Sequence, residues 1–204
     1  MRLRFMHTEQ LERHIIDTIK EWQMKIGYKE ENMRLYYPDV SLIGMLELPD
    51  GTTEKELKKN LAIFAEIVSE RLGQIEISNV GDRYCLNVPP EGCKYISEKV
   101  PDSELLKNLL VVLDRRENDM DQVRKVFQDY ATEHQGICVE EDHENEGLGL
   151  VFYYTSEETD PYVYCMEQDD FGITYHRFSR PDYNKLVSED NEIKHNAQEC
   201  IMCK

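Results

Sequence analysis

At Gly136 the apolar residues of this chain stop recurring every three or four positions and begin to alternate. The change constrains the fold class, because a period near 3.6 buries one face of a helix and a period of two buries one face of a strand. Helical pattern dominates the part up to about residue 133, and four short alternating runs occupy 137–139, 148–154, 162–166 and 173–178. The links between those runs are too short for crossovers, so they imply an antiparallel meander. Segregated helices and strands make the chain α+β: N-terminal helices with an inserted β-hairpin, then a C-terminal four-stranded meander.

The helical part can be read element by element. Thr8 is placed to cap a first helix whose Leu11, Ile15, Ile19, Trp22 and Ile26 share one face, and Gly27 is placed to end it. The segment RLYYP at 34–38 follows, where Pro38 disfavours helix at Tyr37, and 41–48 suggests a short helix. Thr53 and Glu56 have capping-box spacing ahead of an apolar stripe of Leu57, Leu61, Phe64, Val68 and Leu72. The runs IEIS and RYCLNVP flank Asn79-Val80-Gly81-Asp82 and predict the hairpin. Further helices are predicted over 91–99, behind Asp102 and behind Asp119 with Gln122, and one helical turn over 181–187. An isolated hairpin is marginal in water, so one domain spanning 1–187 is expected, with its sheet part from about 134. Residues 188–204 read as a flexible polar tail.

Charge narrows the function classes. The chain carries 24 Lys and Arg against 41 Asp and Glu, a formal net charge of −17. Nucleic-acid phosphates and anionic membranes repel such a surface, so neither is expected as a partner, whereas a basic protein fits the sign. From 126 to 176 there is no Lys or Arg while 13 Asp and Glu occur. The plainer reading is a solvated face that keeps the protein soluble. The sharper one is a docking surface, which requires the carboxylates to gather on one side of the meander. Oligomeric state is left open by these patterns.

Three clusters stand out as candidate binding residues. Tyr175, His176 and Arg177 lie on the last predicted strand, where a histidine near an acid could move a proton; the plainer reading is a core-edge histidine and a structural ion pair. Asp82, Arg83 and Tyr84 at the hairpin turn offer an acid, a bidentate donor and an aromatic platform, although aspartate beside glycine is ordinary turn chemistry. Tyr153, Tyr162 and Tyr164 crowd the acidic meander, and Tyr153 must point away from its neighbour Tyr154. Exposed tyrosines among acids form a recognition surface, the alternative being a core rim.

Other chemistry finds little support. The opening MRLRFMHTEQL holds no apolar run of signal-peptide length, and no apolar stretch reaches the roughly 18 residues of a membrane span. A cytoplasmic chain with reduced thiols is expected, and Cys85, Cys93, Cys138 and Cys165 read as small core residues. Cys200 and Cys203 form a lone CxxC in the polar tail, lacking the further ligands of structural zinc. Residues 142–147 imitate the start of a calcium loop, yet the twelfth position is Tyr153 rather than an acid. Gly147-Leu148-Gly149 lacks the third glycine of a dinucleotide fingerprint, and no P-loop, GxSxG or HExxH occurs. No metal and no cofactor is expected, and no catalytic residue is assigned.

The segments RLYYP (34–38), EISNVGDRYC (76–85), VPPEG (88–92) and ITYHRF (173–178), with their spacing, resemble the DUF3877 family of bacterial proteins over most of 8–187. The resemblance implies a bacterial cytoplasmic origin and carries no catalytic residue. The leading expectation is a non-enzymatic binding or regulatory protein that docks a basic partner on an acidic, tyrosine-rich sheet. The alternative is an enzyme using His176, Arg177 and Asp82.

Overall fold

The computed structural model describes residues 8–81, 83–143, 147–180, 182–184 and 186–187. The chain divides between Ser103 and Glu104 into two compact units. That division falls two helices ahead of the switch from helical to strand pattern.

The N-terminal unit holds α1 (Glu9–Ile26), β1 (Met33–Pro38), α2 (Asp39–Met45), α3 (Glu54–Leu72), β2 (Glu76–Val80), β3 (Arg83–Val88) and α4 (Pro90–Lys99). The capping box forms as its spacing implies: the Glu56 N–H donates to Thr53 Oγ1 at 3.3 Å, and the Thr53 N–H donates to Glu56 Oε2 at 2.9 Å. Thr8 occupies the N-cap position of α1 but its side chain makes no capping bond. The α1 stripe also ends early. Leu11, Ile15 and Ile19 are fully buried, while Ile26 is exposed and Gln23 takes the inward position, donating to the Cys93 carbonyl at 2.8 Å. The predicted hairpin is part of a larger sheet. The RLYYP segment forms β1, which pairs antiparallel with β3 and gives the order β1-β3-β2. Leu35 lies opposite Leu86 and Tyr37 opposite Tyr84, and all four join the core with Leu57, Leu61, Phe64 and Val68 of α3.

One ion pair in this unit has a pH signature. Glu12 is buried, and Arg71 Nη2 donates to its Oε2 at 2.8 Å. Burial raises the Glu12 carboxyl above its ordinary 4.5, and the Arg71 charge opposes that rise. A raised folded-state pKa means that acid favours this carboxyl's folded environment, and that the advantage fades as pH climbs through the raised value. Arg71→Met removes the opposing charge. It should destabilise the fold at neutral pH by about 1–3 kcal/mol, a range discounted because Arg71 is half exposed. The deficit should shrink as pH falls toward 4.5 and Glu12 takes up its proton. Urea unfolding at neutral and at acid pH measures both values; a deficit independent of pH would contradict the assignment.

The C-terminal unit holds α5 (Glu104–Leu113), α6 (Met120–Glu133), β4 (Cys138–His143), β5 (Gly149–Tyr154), β6 (Tyr162–Asp169) and β7 (Gly172–Ser179). Asp119 caps α6 by accepting from the Gln122 N–H at 2.8 Å. The strands form an antiparallel meander in the order β4-β5-β6-β7. Phe127 of α6 packs on one face, stacked on Phe152 at 4.7 Å and edge-on to Tyr164 at 5.2 Å. On the other face Val151, Val163 and Cys165 cluster with Tyr183, and Val187 packs against them. Residues 182–184 and 186–187 are helical, in keeping with the helical turn the sequence implies there. A sheet covered on both sides explains why LVFYY and YVYCM read as nearly continuous apolar runs.

Candidate functional site

Cross-strand partners share a face, so the register sorts the meander's polar residues. Glu140 lies opposite Phe152, which lies opposite Tyr164 and then Arg177. Its neighbour Glu141 lies on the other face, in line with Val151, Cys165 and His176. The carboxylates therefore divide between both faces rather than gathering on one. Several are also engaged within the unit. Glu140 accepts from Arg124 Nε at 2.8 Å, and Glu141 accepts from the Tyr153 hydroxyl at 2.8 Å and lies 3.1 Å from His143 Nε2. Burial, followed by the bond to Glu141 and its charge, raises the Tyr153 phenol above its ordinary value.

The candidate tyrosines divide in the same way. Tyr164 is fully buried, with its hydroxyl 3.3 and 3.4 Å from the carboxylate oxygens of buried Asp160, so it belongs to the core and not to a docking surface. Tyr153 is half-buried. Tyr162, also half-buried, lies beneath the Arg177 guanidinium at 4.2 Å. Tyr175 is half-buried with its ring 6.5 Å from Tyr164, and His176 is exposed on the opposite face. Tyrosine amphipathicity is thus used largely within the unit, the ring packed and the hydroxyl bonded.

The GDRYC residues belong to the N-terminal unit. Asp82 is outside the described residues; Arg83 is exposed at the start of β3, and Tyr84 is 4% exposed. By chain position Asp82, Arg83 and Tyr84 belong to the N-terminal unit, and Tyr175, His176 and Arg177 to the C-terminal one. Neither unit by itself gathers the acid, the arginine and the histidine of the enzymatic alternative.

A feature that sequence reasoning passed over lies at the β6–β7 turn. β5 pairs with β6 as far as Met166, but β6 and β7 continue together through Glu167↔Thr174, Gln168↔Ile173 and Asp169↔Gly172. This extension ends in a turn in which Asp169 Oδ1 accepts from the Phe171 N–H at 2.8 Å and the Gly172 N–H at 3.1 Å. Those bonds fix the turn and leave the Phe171 ring 99% exposed. Glu167, Asp169 and Asp170 beside it are exposed as well. An apolar residue inside a polar turn was the available signal. It was hidden because Phe171 belongs to neither alternating run.

Thiol and metal chemistry are weakly supported among the described residues. No group of three or more His, Cys, Asp and Glu there is arranged to hold a metal ion. Burial pushes the Cys138 and Cys165 thiols up to about 11, which keeps them protonated and poorly nucleophilic at neutral pH. Cys200 and Cys203 lie outside the described residues.

The model of a family described as "Domain of unknown function, E. rectale Gene description (DUF3877)" matches residues 8–187. The chain belongs to the DUF3877 family. That family name agrees with a bacterial origin. Comparison with curated proteins and with solved structures found no match. In this DUF3877 chain the resembling segments have structural roles: RLYYP supplies β1, EISNVGDRYC the β2–β3 hairpin and ITYHRF strand β7. The glycine of VPPEG lets α4 approach α3, since a Cβ on Gly92 would lie 2.2 Å from the Leu72 carbonyl oxygen.

Proposed function

We propose that this DUF3877 protein is a non-enzymatic binding protein of the bacterial cytoplasm that docks a basic protein partner on the β6–β7 hairpin. The observation that carries the proposal is the Phe171 ring, 99% exposed and flanked by the exposed carboxylates Glu167, Asp169 and Asp170. An aromatic side chain in water is a ready anchor, because a partner that covers it removes a large apolar area. The surrounding carboxylates would select a partner with lysines or arginines around an apolar pocket and speed its approach. A net charge of −17 disfavours nucleic acid and anionic membranes in the same role. Among the described residues no helix is long and apolar enough to cross a membrane. Cys85, Cys93, Cys138 and Cys165 are free thiols, which suits a reducing compartment.

A lysine-rich peptide carrying one leucine serves as the probe, with its affinity measured by calorimetry over a range of salt. Affinity should fall by about tenfold or more from low to high ionic strength. Phe171→Ser should weaken binding by about tenfold at every salt concentration and leave the slope unchanged. The pair Glu167→Lys and Asp170→Lys should flatten the slope. Salt-independent affinity, or a Phe171→Ser variant that binds as well as the natural protein, would overturn the proposal.

A further inference from the structure

We infer that the N-terminal unit carries a small-molecule site centred on the Tyr84 hydroxyl, between α3 and β2, which takes a compact apolar molecule bearing a neutral carbonyl or hydroxyl oxygen. The starting observation is an unsatisfied donor. Tyr84 is 4% exposed, and its hydroxyl is buried without a hydrogen-bond partner. About nine in ten buried polar groups find a partner, so an orphan on a side chain that lines a cavity marks a place where a partner can come from outside the chain. Tyr84 lines a cleft of about 460 Å³, within the size range of small-molecule sites. It also lines an adjoining hollow of about 200 Å³.

The walls define the chemistry. Ala62 and Ala65 of α3, with Ile75 and Ile77, give the larger cleft an apolar lining. Lys58 and Asn79 stand at its polar side, but both are engaged with Glu54: Lys58 Nζ lies 2.5 Å from Glu54 Oε1, and Asn79 Nδ2 lies 3.4 Å from the same oxygen. The smaller hollow reaches Glu54 and Asp39. Burial, then the Glu54 charge, raises the Tyr84 phenol, with Lys58 opposing and Asp39 adding to the rise. The hydroxyl therefore keeps its proton and needs an acceptor. Two nearby carboxylates disfavour an anionic acceptor, and the lysine that might have offset them is already paired. A neutral oxygen on an apolar body satisfies the donor, fills the alanine and isoleucine wall and brings no opposing charge. The site uses no residue of the β6–β7 hairpin and does not rest on the proposed function.

The test titrates the isotope-labelled full chain with cyclohexanone, and separately with cyclohexanecarboxylate, following backbone amide shifts. Cyclohexanone should give saturable shifts concentrated at Ala62, Ala65, Ile77 and Asn79, and the carboxylate should bind at least about tenfold more weakly. Tyr84→Phe should weaken cyclohexanone binding by about tenfold while leaving thermal stability unchanged or raised, because the lost hydroxyl has no partner in the free protein. Ala62→Leu, at an exposed helical position, should keep the fold and abolish the shifts by filling the cleft. Absence of cleft-centred shifts, or full affinity in Tyr84→Phe or Ala62→Leu, overturns the site. A carboxylate that binds as tightly as the ketone overturns its assignment to a neutral ligand.

Discussion

Phe127→Ala is expected to destabilise the C-terminal unit by about 3–5 kcal/mol, the range for removing a fully buried aromatic ring. Phe127 is fully buried and sits where α6 meets the meander, in ring contact with Phe152, Tyr154 and Tyr164. Its carbonyl also accepts from the buried Tyr154 hydroxyl at 3.0 Å. Truncation leaves a void bounded by three rigid rings on a hydrogen-bonded sheet, which can collapse little. Phe127→Leu fills most of that space and should cost much less, about 1–1.5 kcal/mol. Trp22, the only tryptophan, lies in the other unit, so hydrogen exchange of β5 and β6 amides is the informative readout. Exchange protection reduced by less than about 1 kcal/mol in Phe127→Ala would show that the ring does not hold α6 to the sheet.

Gly149→Ala should be nearly as severe, at about 2–5 kcal/mol. Gly149 opens β5 with φ of 63°, a left-handed conformation that side chains disfavour. A Cβ there would also lie 2.1 Å from the Met166 carbonyl oxygen on the neighbouring strand. The conformational strain alone would be modest, but the close contact is not, because the obstacle is backbone and cannot swing aside. The variant should lose protection at the β5–β6 pairing, as read by amide exchange. Gly147, with φ of 73° and open space around its Cα, should accept alanine with conformational strain alone, about 1 kcal/mol. Equal losses at the two positions would contradict this ranking. The Gly-Leu-Gly run thus serves strand entry, consistent with its failure to match a dinucleotide fingerprint.

Local signals in the sequence were reliable where the relevant chemistry is local. The Thr53–Glu56 capping box, the Asp119 cap and the four meander strands depend on residues a few positions apart, and each is present, although β4 runs on to His143 and β6 to Asp169, past the alternating runs at 137–139 and 162–166. β1 was missed because its partner β3 lies far along the chain, and because Tyr36-Tyr37-Pro38 hides the inward Leu35 and Tyr37 beside an exposed tyrosine and a proline. Burial of tyrosine was also illegible. Tyr84, Tyr154 and Tyr164 are core residues and Tyr153 and Tyr162 are half-buried, yet a residue with a packed ring and a polar end fits either environment. The division of the carboxylates follows once β4 is seen to run to His143, past the alternating run at 137–139. Consecutive Glu140 and Glu141 on one strand must face opposite sides, so the linear run of acids never implied a single acidic face. What the acids do form is local, at a turn where Asp169 bonds fix the backbone and turn Phe171 outward.

Binding of a basic partner at the β6–β7 hairpin is the central claim, and mapping the contact by amide shifts tests it most directly. The labelled chain, titrated at low salt with the lysine-rich peptide carrying one leucine, should show its largest shifts at residues 167–172, diminishing as salt is raised. Shifts spread over the carboxylates of both units, or centred away from Phe171, would contradict it.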